Sequence, residues 1–115
     1  MKYFILLALF FVLQSMNGQT TVKTVIINVN GACDDCKERI ENAADIKGVK
    51  LCNWSPDTKK AVVTYDEAKV SVEQIEKAIA AKGYDTEHFK GEEAAYKKLP
   101  KCCQYRGKTD GLHHN

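Results

Sequence analysis

The sequence has little of several features that mark common functional classes. It has no marked excess of one charge: 17 basic and 15 acidic side chains give a formal net charge of +2, whereas nucleic-acid-binding proteins usually show a clear basic excess. Prolines and glycines are few, and 44% of the 115 residues are hydrophobic, which argues against a disordered chain. We therefore expect one small domain and no nucleic-acid partner.

The residue sets that enzymes commonly use are also missing. We find no Ser/His/Asp set, no phosphate-binding glycine loop and no carboxylate pair suited to acid–base catalysis. These absences argue against a hydrolase or a group-transfer enzyme. The sequence instead predicts a binding protein that is not an enzyme.

The N-terminus contains a nearly unbroken apolar run, Tyr3–Leu13. This run is shorter than the roughly 20 residues that a membrane-spanning helix needs. Lys2 precedes it, and small or polar residues follow it as far as Gly18, an order typical of a secretory signal peptide. We predict cleavage after Gly18 and export to a periplasm or secretion, with no stable membrane anchor left; the alternative is an uncleaved anchor.

Residues 19–90 alternate between period-two and helical hydrophobic patterns. A capping box, Ser71 with Gln74, marks the start of one helix. The order predicted is strand, helix, strand, strand, helix, strand, which is a ferredoxin-like α+β sandwich with a four-stranded antiparallel sheet and two helices on one face. The predicted strands are Thr20–Asn30, Val49–Trp54, Ala61–Tyr65 and Tyr84–Phe89, and the helices run from Cys33 to Gly48 and from Ser71 to Gly83.

Residues 91–115 form a separate segment in this prediction. We expect a short helix, Glu92–Leu99, which Pro100 ends, followed by a flexible tail. The tail contains Cys102 and Cys103 and, close to its end, two histidines.

The chemistry concentrates at Cys33 and Cys36, two thiols spaced i, i+3 where the first strand gives way to a helix. The helix dipole and the free backbone N–H groups stabilise thiolates there. Two soft sulfur ligands favour a soft ion of low coordination number such as Cu(I), whereas a closed structural zinc site needs four ligands. A Cys-x-x-Cys pair alone is a weak signal, but its position in this element order strengthens it.

With these motifs, the chain resembles the heavy-metal-associated domain family. That family includes copper chaperones, the N-terminal modules of copper-transporting ATPases and the periplasmic mercuric-ion-binding protein. The resemblance spans roughly residues 22–88. It rests on Gly31-x-Cys33-x-x-Cys36, Gly48-Val49, Val63-x-Tyr65-Asp66, Ile75-x-x-Ala78-Ile79 and Gly83-Tyr84-Asp85.

The resemblance implies that Cys33 and Cys36 bind the metal and that Tyr84 packs near the metal loop. It implies an exported metallochaperone or scavenger, acting as a monomer, with a membrane metal transporter or efflux component as donor or acceptor. Cu(I) is the ion we expect, and Hg(II), Ag(I), Zn(II) and Cd(II) are the alternatives. One departure is Gly31, which stands where the family usually has methionine.

Three further cysteines leave alternatives open. We expect Cys52 to be a buried, inert thiol beside Trp54. Cys102 and Cys103 are candidate accessory ligands; they are equally candidates for disulfides with Cys33 and Cys36, or with a partner. The alternative functions are a thiol–disulfide oxidoreductase using the same cysteine pair and a disulfide-locked interaction domain.

Overall fold

The structure, a computed structural model, describes residues 21–107. Across these residues, three strands form an antiparallel sheet in the order β1–β3–β2. Inward-pointing side chains at alternate positions, such as Ile27, Trp54 and Val63, are buried, which confirms the period-two pattern. The strands are β1 (Val22–Asn28), β2 (Val49–Ser55) and β3 (Lys60–Asp66).

Two longer helices supply the other half of the core. In α1 (Asp34–Ala43), Cys36 and Ile40 are buried, as the helical pattern predicts. The predicted capping box starts α2 (Val72–Ala80), where the Ser71 hydroxyl accepts from the Gln74 backbone and the Gln74 side chain accepts from the Ser71 backbone. Both helices end earlier than predicted. Turns follow each helix, and the positive-φ glycines Gly48 and Gly83 lie at the ends of turns and not at the helix ends.

The predicted fourth strand, Tyr84–Phe89, is wrong within the described residues. Only one isolated bridge, Val29 with Thr86, joins this segment to the sheet. The Thr86 N–H turns back to the Phe89 carbonyl, and the His88 N–H donates to the buried carboxylate of Glu76. Because these groups pair locally, no continuous ladder forms along β1.

The C-terminal segment, residues 91–107, packs against the domain. It comprises a short helix α3 (Glu93–Lys97) and a 3₁₀ turn, Lys101–Cys103. Cys103 and Tyr105 are fully buried, which the prediction of a flexible tail did not anticipate.

The predicted signal peptide, residues 1–18, and the two terminal histidines lie outside the described residues. Among residues 21–107, no helix has the length and apolar character needed to cross a membrane.

Candidate metal centre

The Cys33–Cys36 pair lies where the loop after β1 meets α1. Cys33 is the N-cap residue in an extended conformation, φ −151°, and Cys36 occupies the first helical turn. The two sulfur atoms are 3.8 Å apart. Cys33 is partly exposed and Cys36 is fully buried, so one sulfur faces solvent and the other closes the floor of the site.

Backbone contacts hold the loop in place. The Ala32 N–H donates to the Cys36 sulfur at 3.3 Å. The Gly31 carbonyl accepts from the Lys59 ammonium at 2.7 Å. The Trp54 ring is also hydrogen-bonded, its Nε1 donating to the Val29 carbonyl at 2.9 Å.

Gly31, the departure from the family pattern, has a structural reason. A Cβ at this position would lie 2.8 Å from the Trp54 ring and 3.2 Å from Ile40, closer than the packing of a folded core allows. The indole of Trp54 therefore takes the space beneath the loop that a larger side chain at position 31 would need.

A third sulfur joins the pair from the C-terminal segment. The Cys103 sulfur lies 3.9 Å from that of Cys33, and the sulfurs of Cys33, Cys36 and Cys103 all lie within 4.8 Å of one another. Cys102 lies at the rim of this group, its sulfur 3.9 Å from that of Cys103 and 3.6 Å from an Asp35 carboxylate oxygen. All five cysteines are free thiols, and the three clustered sulfurs could hold a metal ion.

The clustered thiols differ in acidity. Burial opposes ionisation of Cys33, but hydrogen bonds from the Cys36 backbone N–H and the Cys102 side chain outweigh it and lower the pKa of Cys33 to about 7. The pKa of Cys103 is raised, first by burial and then by the adjacent Cys36 thiol. Of these two thiols, Cys33 is therefore the one that ionises more readily near neutral pH.

The Tyr84 hydroxyl borders the same cluster. Its oxygen is buried beside the sulfurs of Cys103 and Cys36. The pKa of Tyr84 is raised, chiefly by burial and then by the neighbouring sulfurs of Cys103 and Cys36. The hydroxyl thus keeps its proton next to the sulfurs, where it can donate to a thiolate.

Comparison with known proteins identifies the domain around this cluster. The sequence profile described as the heavy-metal-associated domain matches residues 19–85. The chain belongs to the heavy-metal-associated domain family.

Individual relatives of this heavy-metal-associated domain are metal-handling proteins by name. A copper chaperone CopZ of Staphylococcus haemolyticus is 44% identical over 62 residues, which are 52% of this chain and 91% of that protein. A mercuric transport protein periplasmic component of Pseudomonas aeruginosa is 38% identical over 64 residues, 54% of this chain and 70% of that protein. Oxidized MerP of Ralstonia metallidurans CH34 superposes with a TM-score of 0.54 at 36% identity, over 56% of this chain and 93% of that one.

These matches support the ferredoxin-like α+β fold of this heavy-metal-associated domain, with three strands among the residues described here. The profile ends at residue 85, before the segment that carries Cys103. Because the 62 matched residues are 91% of the copper chaperone, that relative has too little chain left over for a counterpart of residues 91–107.

Two other side chains lie apart from the sulfur cluster of the heavy-metal-associated domain. Cys52 is partly buried on β2, and burial together with the charge of Glu41 raises its pKa to about 11. The raised pKa agrees with the prediction of an inert thiol, whereas the side chain is only partly buried and not, as predicted, fully enclosed. Lys37, which follows Cys36, pairs with the Glu41 carboxylate and donates to the Asn53 side chain and to the Trp54 carbonyl.

Proposed function

We propose that this protein is an exported soft-metal-binding protein, a metallochaperone or scavenger, that holds Cu(I) between Cys33 and Cys36. The observation that carries the proposal is the pair of sulfurs 3.8 Å apart at the start of α1, in a chain of the heavy-metal-associated domain family. The lowered pKa of Cys33, about 7, supports it because the thiolate is the form that binds metal.

The ligand set argues for a soft ion. Among residues 21–107, the clustered side chains that lie within reach of one another are all thiols, with no histidine or carboxylate among them. Thiolate ligands select Cu(I) over hard cations. Hg(II), Ag(I), Zn(II) and Cd(II) remain the alternatives, and the names of the relatives, a copper chaperone and a mercuric transport component, are consistent with copper or mercury.

Transfer would proceed by ligand exchange at the exposed side of the pair. A thiolate or thioether of the partner adds to the bound ion beside the partly exposed Cys33, and one of the original sulfurs then leaves. No electron changes hands, since each sulfur donates a pair to the same ion. The partner we propose is a membrane metal transporter or efflux component, and the protein acts as a monomer.

Export is the part of this proposal that rests on the N-terminal sequence. Residues 1–18 have the order of a secretory signal, and one relative is named as a periplasmic component. The mass of the protein recovered from its native compartment tests this directly, because cleavage after Gly18 removes a defined mass.

The decisive test of binding is an anaerobic Cu(I) titration against a coloured competing chelator. We expect equimolar binding by the unmodified protein and loss of that binding in the double variant Cys33→Ser, Cys36→Ser. Cys52→Ser is the matched control, since Cys52 is a thiol outside the cluster, and it should bind as the unmodified protein does. Equimolar binding that survives the double substitution would contradict the proposal.

A further inference from the structure

The spacing of the three clustered sulfurs matches a three-coordinate site better than a linear one. With a metal–sulfur bond of about 2.3 Å, as in zinc sites, the sulfurs of a trigonal site lie about 4.0 Å apart and those of a linear site about 4.6 Å apart. The Cys33 sulfur is 3.8 Å from that of Cys36 and 3.9 Å from that of Cys103, and all three sulfurs lie within 4.8 Å of one another. The third sulfur therefore already stands at ligand distance before any ion binds.

The position of Cys103 is fixed by contacts on both sides of it. Tyr105 stacks on Tyr84 with ring centroids 5.9 Å apart. Its hydroxyl donates to the Gly83 carbonyl at 2.9 Å and accepts from the Asp85 N–H at 2.7 Å. On the other side, the Cys103 N–H donates to the Pro100 carbonyl at 2.8 Å.

An ion pair and an aromatic contact secure the rest of the segment. The Arg106 guanidinium donates to an Asp85 carboxylate oxygen at 2.9 Å and to the Gly91 carbonyl at 3.0 Å. It also lies 4.2 Å from the ring centroid of Tyr96, within the range of a cation–π interaction. The Asp85 contact joins the segment to the domain, whereas Gly91 and Tyr96 lie within residues 91–107 and stiffen the segment itself.

We propose that Cys103 is a third thiolate ligand, which converts the two-cysteine site of this domain into a three-sulfur site. This inference rests on the proposed function, because it needs the ion to bind at Cys33 and Cys36. Cys36 and Cys103 are both fully buried. Two enclosed sulfurs would therefore bind the ion from the protein interior, and the ion would be accessible to solvent on the side of Cys33. Each ligating thiol gives its proton to solvent as the ion binds.

A third ligand changes how readily the site releases its ion to a partner. A two-coordinate ion accepts an incoming sulfur directly, whereas an ion that already has three sulfurs must first lose one or become four-coordinate. Residues 91–107 therefore favour retention over rapid hand-over, which assigns the protein to metal sequestration more than to shuttling. The Tyr84 hydroxyl, buried beside Cys36 and Cys103, supports this assignment as a donor to the extra thiolate.

X-ray absorption at the copper edge tests the inference on the full chain loaded anaerobically with equimolar Cu(I). We expect three sulfur ligands in the unmodified protein and two in Cys103→Ser and in Cys103→Ala. Affinity should fall about 100-fold in both variants, since even the loss of a group that only supports a ligand costs about 10- to 100-fold. The alanine variant avoids placing a hydroxyl in a buried site, and amide NMR spectra of both variants report whether the fold is kept.

Cys52→Ser is the matched control, because it removes a thiol that lies outside the cluster. It should keep three sulfur ligands and its affinity. Two sulfurs in the unmodified protein, or equal affinity in the Cys52 and Cys103 variants, overturns the inference and leaves the proposed function standing. Failure of the proposed function has a different signature, which is equimolar binding that survives removal of both Cys33 and Cys36.

Discussion

Residues 22–85 and residues 91–107 both bring cysteines to one cluster, but by different physical means. In the domain, Cys33 and Cys36 meet because they are three positions apart at a helix start, so local geometry alone sets their 3.8 Å separation. In the C-terminal segment, Cys103 reaches Cys33 across 70 positions of sequence. Its place depends on buried aromatic and ionic contacts around Tyr105 and Arg106, and such contacts leave no short motif.

This difference predicts that the segment is more sensitive to single substitutions than the cysteine pair. Tyr105 gives the largest effect, because it is 1% exposed, stacks on Tyr84 and makes two hydrogen bonds. Tyr105→Ala should lower the free energy of unfolding by about 3–5 kcal/mol, the usual cost of truncating a buried aromatic residue. Urea denaturation of the metal-free protein measures this.

Tyr105→Phe separates packing from hydrogen bonding in that result. The phenyl ring keeps the stacking and loses both hydrogen bonds, so we expect a smaller cost of about 1–3 kcal/mol. An alanine variant as stable as the unmodified protein would show that residues 91–107 do not dock on the domain in solution.

Gly91 lies directly against the backbone of Gly83, so a substitution at Gly91 tests the docking of residues 91–107 on the domain without removing any side-chain contact. A Cβ on Gly91 would lie 2.5 Å from the Gly83 carbonyl carbon and 2.7 Å from the Tyr84 nitrogen, and neither backbone atom can move aside as a flexible side chain does. Gly91→Ala should therefore cost about 2 kcal/mol, within the range for overpacked sites. Thermal or urea unfolding measures the loss.

Gly107→Ala is the control for that substitution, since a Cβ at Gly107 meets nothing within 4 Å. It lies in the same segment and should leave stability unchanged. Equal effects at Gly91 and Gly107 would mean that the close backbone contact is absent in solution.

The same contrast explains which features the sequence could predict. The capping box at Ser71, three of the four predicted strands and the position of the Cys33–Cys36 pair at a helix start are local patterns, and the structure has them. The prediction of a fourth strand was wrong because the N–H groups of Thr86 and His88 donate to groups other than the β1 backbone. Their partners, the Phe89 carbonyl and the Glu76 carboxylate, could not be identified from strand propensity.

The candidate site shows the same division: the local Cys33–Cys36 pair could be predicted, and the position of the distant cysteines could not. Cys102 and Cys103 were recognised as candidate accessory ligands from residue type alone, but their arrangement relative to the pair required the fold. Two adjacent cysteines of the same residue type offer no means of telling which one is enclosed, and the structure encloses Cys103 and leaves Cys102 at the rim. A usable hint of docking was the presence of Tyr96 and Tyr105 beside the two cysteines, since tyrosine is more often buried than the charged residues of this segment.

The smallest expected effect concerns the ion pair between the two regions, and it depends on pH. Burial opposes ionisation of Asp85, but hydrogen bonds from Arg106 and from the Gly91 N–H outweigh it and lower the pKa of this carboxyl. A carboxyl with a lowered folded-state pKa adds stability above its unfolded-state pKa, about 3.9. That contribution is lost as the pH falls through the lower folded-state value.

Asp85→Asn should therefore cost about 1–2 kcal/mol at neutral pH, and the difference from the unmodified protein should shrink as the pH falls below about 4. Glu93→Gln is the matched control, because Glu93 also pairs with Arg106 but its side chain is 62% exposed against 25% for Asp85. Exposed pairs contribute little, so this variant should follow the unmodified protein at every pH. Urea unfolding at a series of pH values decides the matter: a constant difference for Asp85→Asn would exclude the ionised carboxylate as the group that ties residues 91–107 to the domain.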